Sequence, residues 1–202
     1  ASELTNTLNY LQFGETVNYV PDEKHTIVTG VSGIGYFPRA EELTPYKGNP
    51  AIVSESASKD NGFEFSLFAN DDYQVSERFS VSVGLRYSHY SHLGADTVYR
   101  YTAGLPKSTS TIEDTSYYSD FESIKSFGGL EPRISARINV TPSQSIKLSY
   151  NRMRQYIHLI SNTTAPTPVD LWQVSNEYLP PQIADNFSLG YFLNMNDNEW
   201  ET

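Results

Sequence analysis

No cysteine occurs among the 202 residues, so no disulfide framework, thiolate zinc site or thiol nucleophile can be built from this chain. Basic residues are scarce too: 14 Lys and Arg stand against 24 Asp and Glu, a formal net charge of −10. That balance argues against nucleic acid as a partner, which would call for a basic stripe. Long apolar runs are also missing. No stretch approaches the ~20 consecutive apolar residues of a membrane-spanning helix. The opening ASELTNTLNY has neither the basic nor the apolar region of an export signal, so any such signal is expected to lie outside this chain or to have been removed. Aromatic residues, in contrast, are plentiful: 15 Tyr and 10 Phe in a chain that is only 38% hydrophobic. Such residues favour strands, and the composition argues against a compact helical or α/β core.

The pattern agrees. In RFSVSVGLRYSHY, residues 78–90, Phe79, Val81, Val83, Leu85 and Tyr87 alternate with Ser80, Ser82, Gly84, Arg86 and Ser88. Period 2 recurs in segments of about ten residues, and no 3.6-residue period is sustained. Strands are expected over Glu3 to Tyr19, His25 to Phe37, Gly62 to Val75, Phe79 to Leu93, residues 130–140, residues 146–159 and Asn186 to Asn194. An eighth begins at the EWET terminus, after the turn MNDN. The fold class expected is all-β and antiparallel.

The connections alternate in length. Tight turns fall near residues 21, 77, 143 and 196, and long polar connections span 38–61, 94–129 and 159–182. Several long structureless loops are unusual in a compact soluble domain. Transmembrane β-barrels have this asymmetry built in, with short turns on one rim, long loops on the other, and strands alternating apolar-out and polar-in. Hydrocarbon offers the backbone no hydrogen-bond partner, so only helices or closed barrels span it. A soluble β-sandwich with one solvated face per sheet produces the same period. That alternative corresponds to an envelope or extracellular ligand-binding module, carbohydrate being one candidate ligand.

The run from Glu131 to Phe192 resembles the barrel of TonB-dependent outer-membrane receptors. More narrowly, it is similar to the Bacteroidota type that carries an N-terminal carboxypeptidase-regulatory-like domain. The residues behind the resemblance are EPR opening a strand, SIKLSYNRMRQYIHLISN, the Pro168, Asp170 and Trp172 of the following loop, and PPQIADNFSLGYF. GLRYSHY and FSLFANDDYQVSERFSVSV look similar to the preceding strand pair, and residues 1–61 match only loosely. The resemblance implies an up-and-down barrel of about 22 strands filled by a plug domain, in the bacterial outer membrane. Its partners would be outer-membrane lipid, the TonB complex acting through the plug, a small ligand of unknown identity and, in some relatives, a surface lipoprotein. No cofactor is implied, and the class is receptor and transporter rather than enzyme. No plug, TonB-box segment or closing C-terminal aromatic is found, so residues 1–202 are expected to be part of one barrel, cut at both ends.

Candidate site residues follow from the faces. Arg86, Arg133, Arg137 and Lys147 lie on the polar side of their strands, where cations facing a lumen would meet acidic plug residues, pair across strands or guide an anionic ligand. The loop aromatics Tyr99, Tyr101, Tyr117, Tyr118, Trp172 and Tyr178 would form a ligand-stacking rim or part of an interfacial girdle. Catalytic residues are not expected, because no Gly-x-Ser-x-Gly elbow or base-nucleophile spacing occurs. His89 and His92 stand three apart on a strand, hence on opposite faces, and cannot share a metal ion. Gly30, Gly33 and Gly35 lie within a strand rather than before a helix, so they fit a bend or close backbone approach rather than a phosphate loop.

Overall fold

The computed structural model describes residues 2–45, 55–56, 60–160, 171–195 and 200–201. One antiparallel sheet dominates. Its strands are β1 (Ser2–Tyr19), β2 (His25–Pro45), β4 (Asn61–Ser76), β5 (Phe79–Leu93), β8 (Ser123–Thr141), β9 (Gln144–Gln155), β12 (Gln182–Met195) and β13 (Trp200–Glu201), in that spatial order. The short β3 (Glu55–Ser56) pairs with β2. Two small hairpins stand apart in the pairing scheme: β6 (Asp96–Tyr101) with β7 (Ile112–Tyr118), and β10 (Ile157–Ile160) with β11 (Leu171–Val174). The main-sheet strands follow one another around the wall in chain order, with only the short β3 and the small hairpins inserted between them, as an up-and-down wall requires, and among the described residues the sheet does not close on itself.

The rows of paired residues climb steadily around the sheet. Tyr19, at the end of β1, lies in the row that runs through Ile27, Asp71, Val83, Ile134 and Tyr150 to Phe187. Phe187 is eight residues short of the end of β12 at Met195 (195 − 187). This stagger is the geometric signature of strands tilted in a barrel wall.

One face of the wall is apolar and bare. Val83, Leu85 and Tyr87 of β5, Ile134 and Ile138 of β8, Leu148 of β9, and Phe187 and Leu189 of β12 are all exposed, Phe187 by 79%. A contiguous apolar surface of this extent is not left to water by a soluble domain. The outward residues of β5 from Phe79 to Tyr87 span about 27 Å along the strand at ~3.4 Å per residue, which a tilt of about 35 to 45° turns into roughly 19 to 22 Å of height, most of the ~25 Å apolar band of such barrels. Toward the loop end the band gives way to polar chemistry. There Arg152 grips Asp185 through Nε and Nη2, both at 2.8 Å, and the Tyr150 hydroxyl donates to the same carboxylate.

The other face is polar and close-knit. Serine ladders cross it, with Ser32 Oγ 2.7 Å from Ser66 Oγ and Ser149 Oγ 2.6 Å from Ser188 Oγ. Glu64, Ser66, Ser88 and Glu131 are buried here, as are Tyr90 and His92.

Three expectations need correcting. The 94–129 connection is not irregular: it holds the β6–β7 hairpin, and β8 begins at Ser123 rather than near residue 130. Similarly, β2 runs on to Pro45 instead of ending at Phe37. Beyond the apolar band both faces of a strand meet polar surroundings, so alternation fades while the backbone ladder continues. Among the described residues β2 is paired at the level of Pro38 only with β1, a position where a missing N–H costs little. The arm expected over 146–159 is also interrupted, since β9 stops at Gln155 and Tyr156 turns the chain into β10. Pro168 and Asp170, and the residues 196–199 of the last turn, lie outside the described residues.

Candidate functional site

Among the described residues, the tight turns after β1, β4 and β8 lie at one end of the sheet and both small hairpins at the other. The β10–β11 hairpin folds over the polar face and seals part of it. Tyr90, Tyr156 and Val174 form a buried cluster, with Tyr36, Phe127 and Ile157 packed around it. The rings of Tyr90 and Tyr156 stack at 4.9 Å and 9°. The Tyr90 hydroxyl donates to the Ser175 carbonyl at 3.0 Å, and the Ser175 N–H donates to the Tyr156 carbonyl at 2.8 Å. The Tyr156 hydroxyl also lies 2.7 Å from Ser88 Oγ, which donates to Glu131. Polar groups buried in this way are satisfied by one another rather than by water.

His158 belongs to the same hairpin, with Nε2 3.0 Å from Ser175 Oγ. Burial holds its imidazole below the ordinary value of 6.5, because the low-dielectric setting disfavours the charged form. The undocked hairpin therefore binds a proton more readily than the docked one. Docking stability from this group is complete above about pH 6.5 and is lost as pH falls through the lowered native value. Hydrogen exchange at the Ser175 N–H, corrected for intrinsic rate, is expected to be faster at pH 5 than at pH 7.5. In His158→Gln that difference should vanish, and its persistence would assign the effect to another group.

The four lumen-face cations differ in their circumstances. Arg86 is already committed, its Nη2 donating to Glu64 at 3.0 Å while the Tyr36 hydroxyl donates to the other oxygen of that carboxylate at 2.9 Å. Arg133, Arg137 and Lys147 have no side-chain partner among the described residues. Arg137 and Lys147 are direct cross-strand neighbours, and both line the hollow near the turn end. Like charges placed opposite each other repel. Sequence reasoning missed a fifth cation: Arg154, whose guanidinium lies against Gly129 where a Cβ would sit 2.2 Å from Nη2. Glycine at 129 leaves the room Arg154 occupies.

The loop aromatics divide as well. Tyr99, Tyr101 and Tyr178 come together around a cavity of about 500 Å³ that Lys107, Gln173 and Glu177 also line. The Tyr178 hydroxyl donates to the Tyr99 carbonyl at 2.5 Å, and Lys107 Nζ stands 3.5 Å above the Tyr178 ring. Tyr117, 79% exposed, Tyr118 and Trp172 do not line this cavity. Trp172 sits opposite Leu159 in the β10–β11 hairpin. Sequence spacing placed all six on loops, but only the fold of the two hairpins decides which of them converge.

The sequence model of the family described as TonB dependent receptor-like, beta-barrel, matches residues 2–201. A comparison with curated proteins finds no match. Among solved structures the chain is similar to the copper transporter OprC, with a TM-score of 0.58 and 13% identity over 95% of this chain and 29% of that one. It is similar to the Serratia marcescens hemophore receptor HasR, solved with its hemophore HasA and heme, with a TM-score of 0.52 and 14% identity over 97% of this chain and 31% of that one. The E. coli ferric-catecholate import receptor Fiu gives a TM-score of 0.51 and 14% identity over 98% of this chain and 30% of that one. At such identities the likeness shows the fold. The chain spans about a third of the length of each of these structures.

Proposed function

The chain belongs to the TonB-dependent receptor-like β-barrel family, and on that premise we propose that it forms one sector of an outer-membrane barrel that takes up a ligand across the membrane. In this reading further strands close the wall, a plug fills it, and the TonB complex acts on that plug. The chain supplies wall and outward loops. The Bacteroidota affiliation read from Glu131 to Phe192 is part of the proposal. The observation that carries it is the two-faced single sheet, with a bare apolar surface outside and a hydrogen-bonded Ser, Glu and Arg surface inside. A sandwich would bury the apolar face against a second sheet, and among the described residues no such sheet covers it. Fractionation tests the reading: the full-length protein is expected in the outer membrane with heat-modifiable migration on a gel. Recovery as a soluble monomer would sink it.

Arg133, Arg137 and Lys147 are proposed to seat an anionic group, an acidic patch of the plug being the occupant that fits a hollow near the turn end. Charge-assisted hydrogen bonds of this kind are worth about 1.5 to 3 kcal/mol each. The double variant Arg137→Glu, Lys147→Glu should keep heat-modifiable migration but make cells at least fourfold more sensitive to a bulky glycopeptide antibiotic, as the plug loosens. Unchanged sensitivity would remove the plug from this hollow. Tyr99, Tyr101 and Tyr178 are proposed as the ligand-contacting part of the loop surface, and Tyr117, Tyr118 and Trp172 as its outer rim.

A further inference from the structure

His92 has no explanation in the barrel wall. It occupies the polar face of β5 at the loop end, on the same side as Arg86, Ser88 and Tyr90, and is only 3% exposed. Neither of its ring nitrogens has a hydrogen-bond partner among the described residues. A buried imidazole left in that state has lost its hydration without replacement, and native structures rarely leave one so without a reason.

Two carboxylates converge on it from other segments. Asp60, immediately before β4, brings Oδ1 to 3.5 Å from His92 Nε2. Asp96 opens β6. One ligand atom from each of Asp60, His92 and Asp96 lies within 4.8 Å of the others. Oxygen and nitrogen donors bound at about 2.0 to 2.2 Å to one tetrahedral ion stand roughly 3.4 Å apart, so the His92 to Asp60 separation matches the edge of a coordination polyhedron. Asp96 Oδ1 accepts the Thr97 N–H at 2.7 Å, which fixes the carboxyl's orientation as outer-shell bonds do at metal sites. Gly94 adds a steric constraint. A Cβ there would lie 2.4 Å from the Ser119 carbonyl oxygen, so glycine lets the chain pass close to the β7 end and deliver Asp96 to His92.

We propose that Asp60, His92 and Asp96 bind a first-row divalent transition-metal ion, Zn²⁺ being the reference case, with the remaining coordination positions open to the cavity lined by Tyr99, Tyr101 and Tyr178. One imidazole with two carboxylates suits such ions, whereas Ca²⁺ and Mg²⁺ prefer all-oxygen sets. The ion ties the start of the β6–β7 hairpin to the paired ends of β4 and β5.

The test uses the full-length protein purified in detergent, stripped with a chelator and titrated with Zn²⁺ alone by calorimetry, with Ca²⁺ as the contrast. One equivalent of Zn²⁺ is expected at micromolar affinity or tighter, and Ca²⁺ should bind at least a hundredfold more weakly. His92→Asn and Asp96→Asn should each weaken Zn²⁺ binding at least tenfold. His89→Asn, on the opposite face, should leave it unchanged. If His92→Asn fails to fold by heat-modifiable migration, Asp96→Asn decides. Absence of saturable binding in the unmutated protein, an Asp96→Asn variant that binds like it, or an equal loss in His89→Asn would overturn the proposal.

Discussion

Leu85→Arg is expected to keep the protein from assembling in the outer membrane, while Ser82→Arg, three residues away on the same strand, is expected to be tolerated. Leu85 is 49% exposed on the apolar face, six residues above the turn end of β5 (85 − 79), flanked across the ladder by Ala69 and Pro132. That places it well inside the band. An arginine on the lipid side costs about 2 to 4 kcal/mol at the bilayer midplane and less toward the interfaces, so at Leu85, two residues past the middle of the Phe79 to Tyr87 run, the cost remains a sizeable share of the marginal stability of a fold. Ser82 points to the opposite face, where Ser82 Oγ donates to Asn70 at 3.3 Å and Ser135 and Ser149 continue the row. A guanidinium there enters a polar lumen. The measurement is the heat-modifiable fraction recovered from membranes for each variant. Equal assembly of the two would mean that both faces of β5 meet the same medium, and the barrel reading would fail with it.

How much of this could be read from the sequence depended on which physical signal each feature leaves. β5 was legible as a strand because from Phe79 to Tyr87 one face is apolar and the other polar, and the contrast writes itself into alternate residues. The first seven residues of β8, Ser123 to Gly129, carry no such contrast. Both of their faces meet polar surroundings, and only the backbone ladder to Ser88 through Leu93 makes them strand. Arg86 was legible as a lumen cation. Its commitment to Glu64 was not, because that needs the β4–β5 register: Glu64 is cross-strand from Tyr90, and its carboxylate reaches diagonally to Arg86. His92 shows the same limit at the candidate metal site. Within β5 it can be paired only with His89, which faces away. Asp60 and Asp96 lie beyond the two strand ends that the β4–β5 pairing brings side by side, since Asn61 is opposite Leu93. Once that register is known, the three residues are neighbours. Arg154 escaped because its inward approach to the polar face depends on the empty space at Gly129 rather than on alternation.

Tyr90→Ala should release the β10–β11 hairpin from the wall. The Tyr90 ring is fully buried against Tyr156 and packs over Gly62, where a Cβ would fall 2.6 Å from its hydroxyl. Truncating a buried aromatic to alanine costs about 3 to 5 kcal/mol, and here the loss falls on the contact between hairpin and sheet, because the strand ladders of β5 on either side are untouched. Limited proteolysis with chymotrypsin reads this directly: cleavage after Leu171, Trp172 or Tyr178 should accelerate at least tenfold while the heat-modifiable barrel persists. Tyr90→Phe keeps the stacked ring and loses only the bond to the Ser175 carbonyl, about 1 kcal/mol, so its cleavage rate should rise by roughly fivefold or less. The consequence reaches the loop surface, since Gln173 of the hairpin and Glu177 and Tyr178 just after it form one side of the cavity that Asp60, His92 and Asp96 also border. Hairpin release would therefore open that cavity from one side. If Tyr90→Ala leaves the segment as resistant as the unmutated protein, the hairpin is held by contacts other than the tyrosine stack, and the cavity wall does not depend on it.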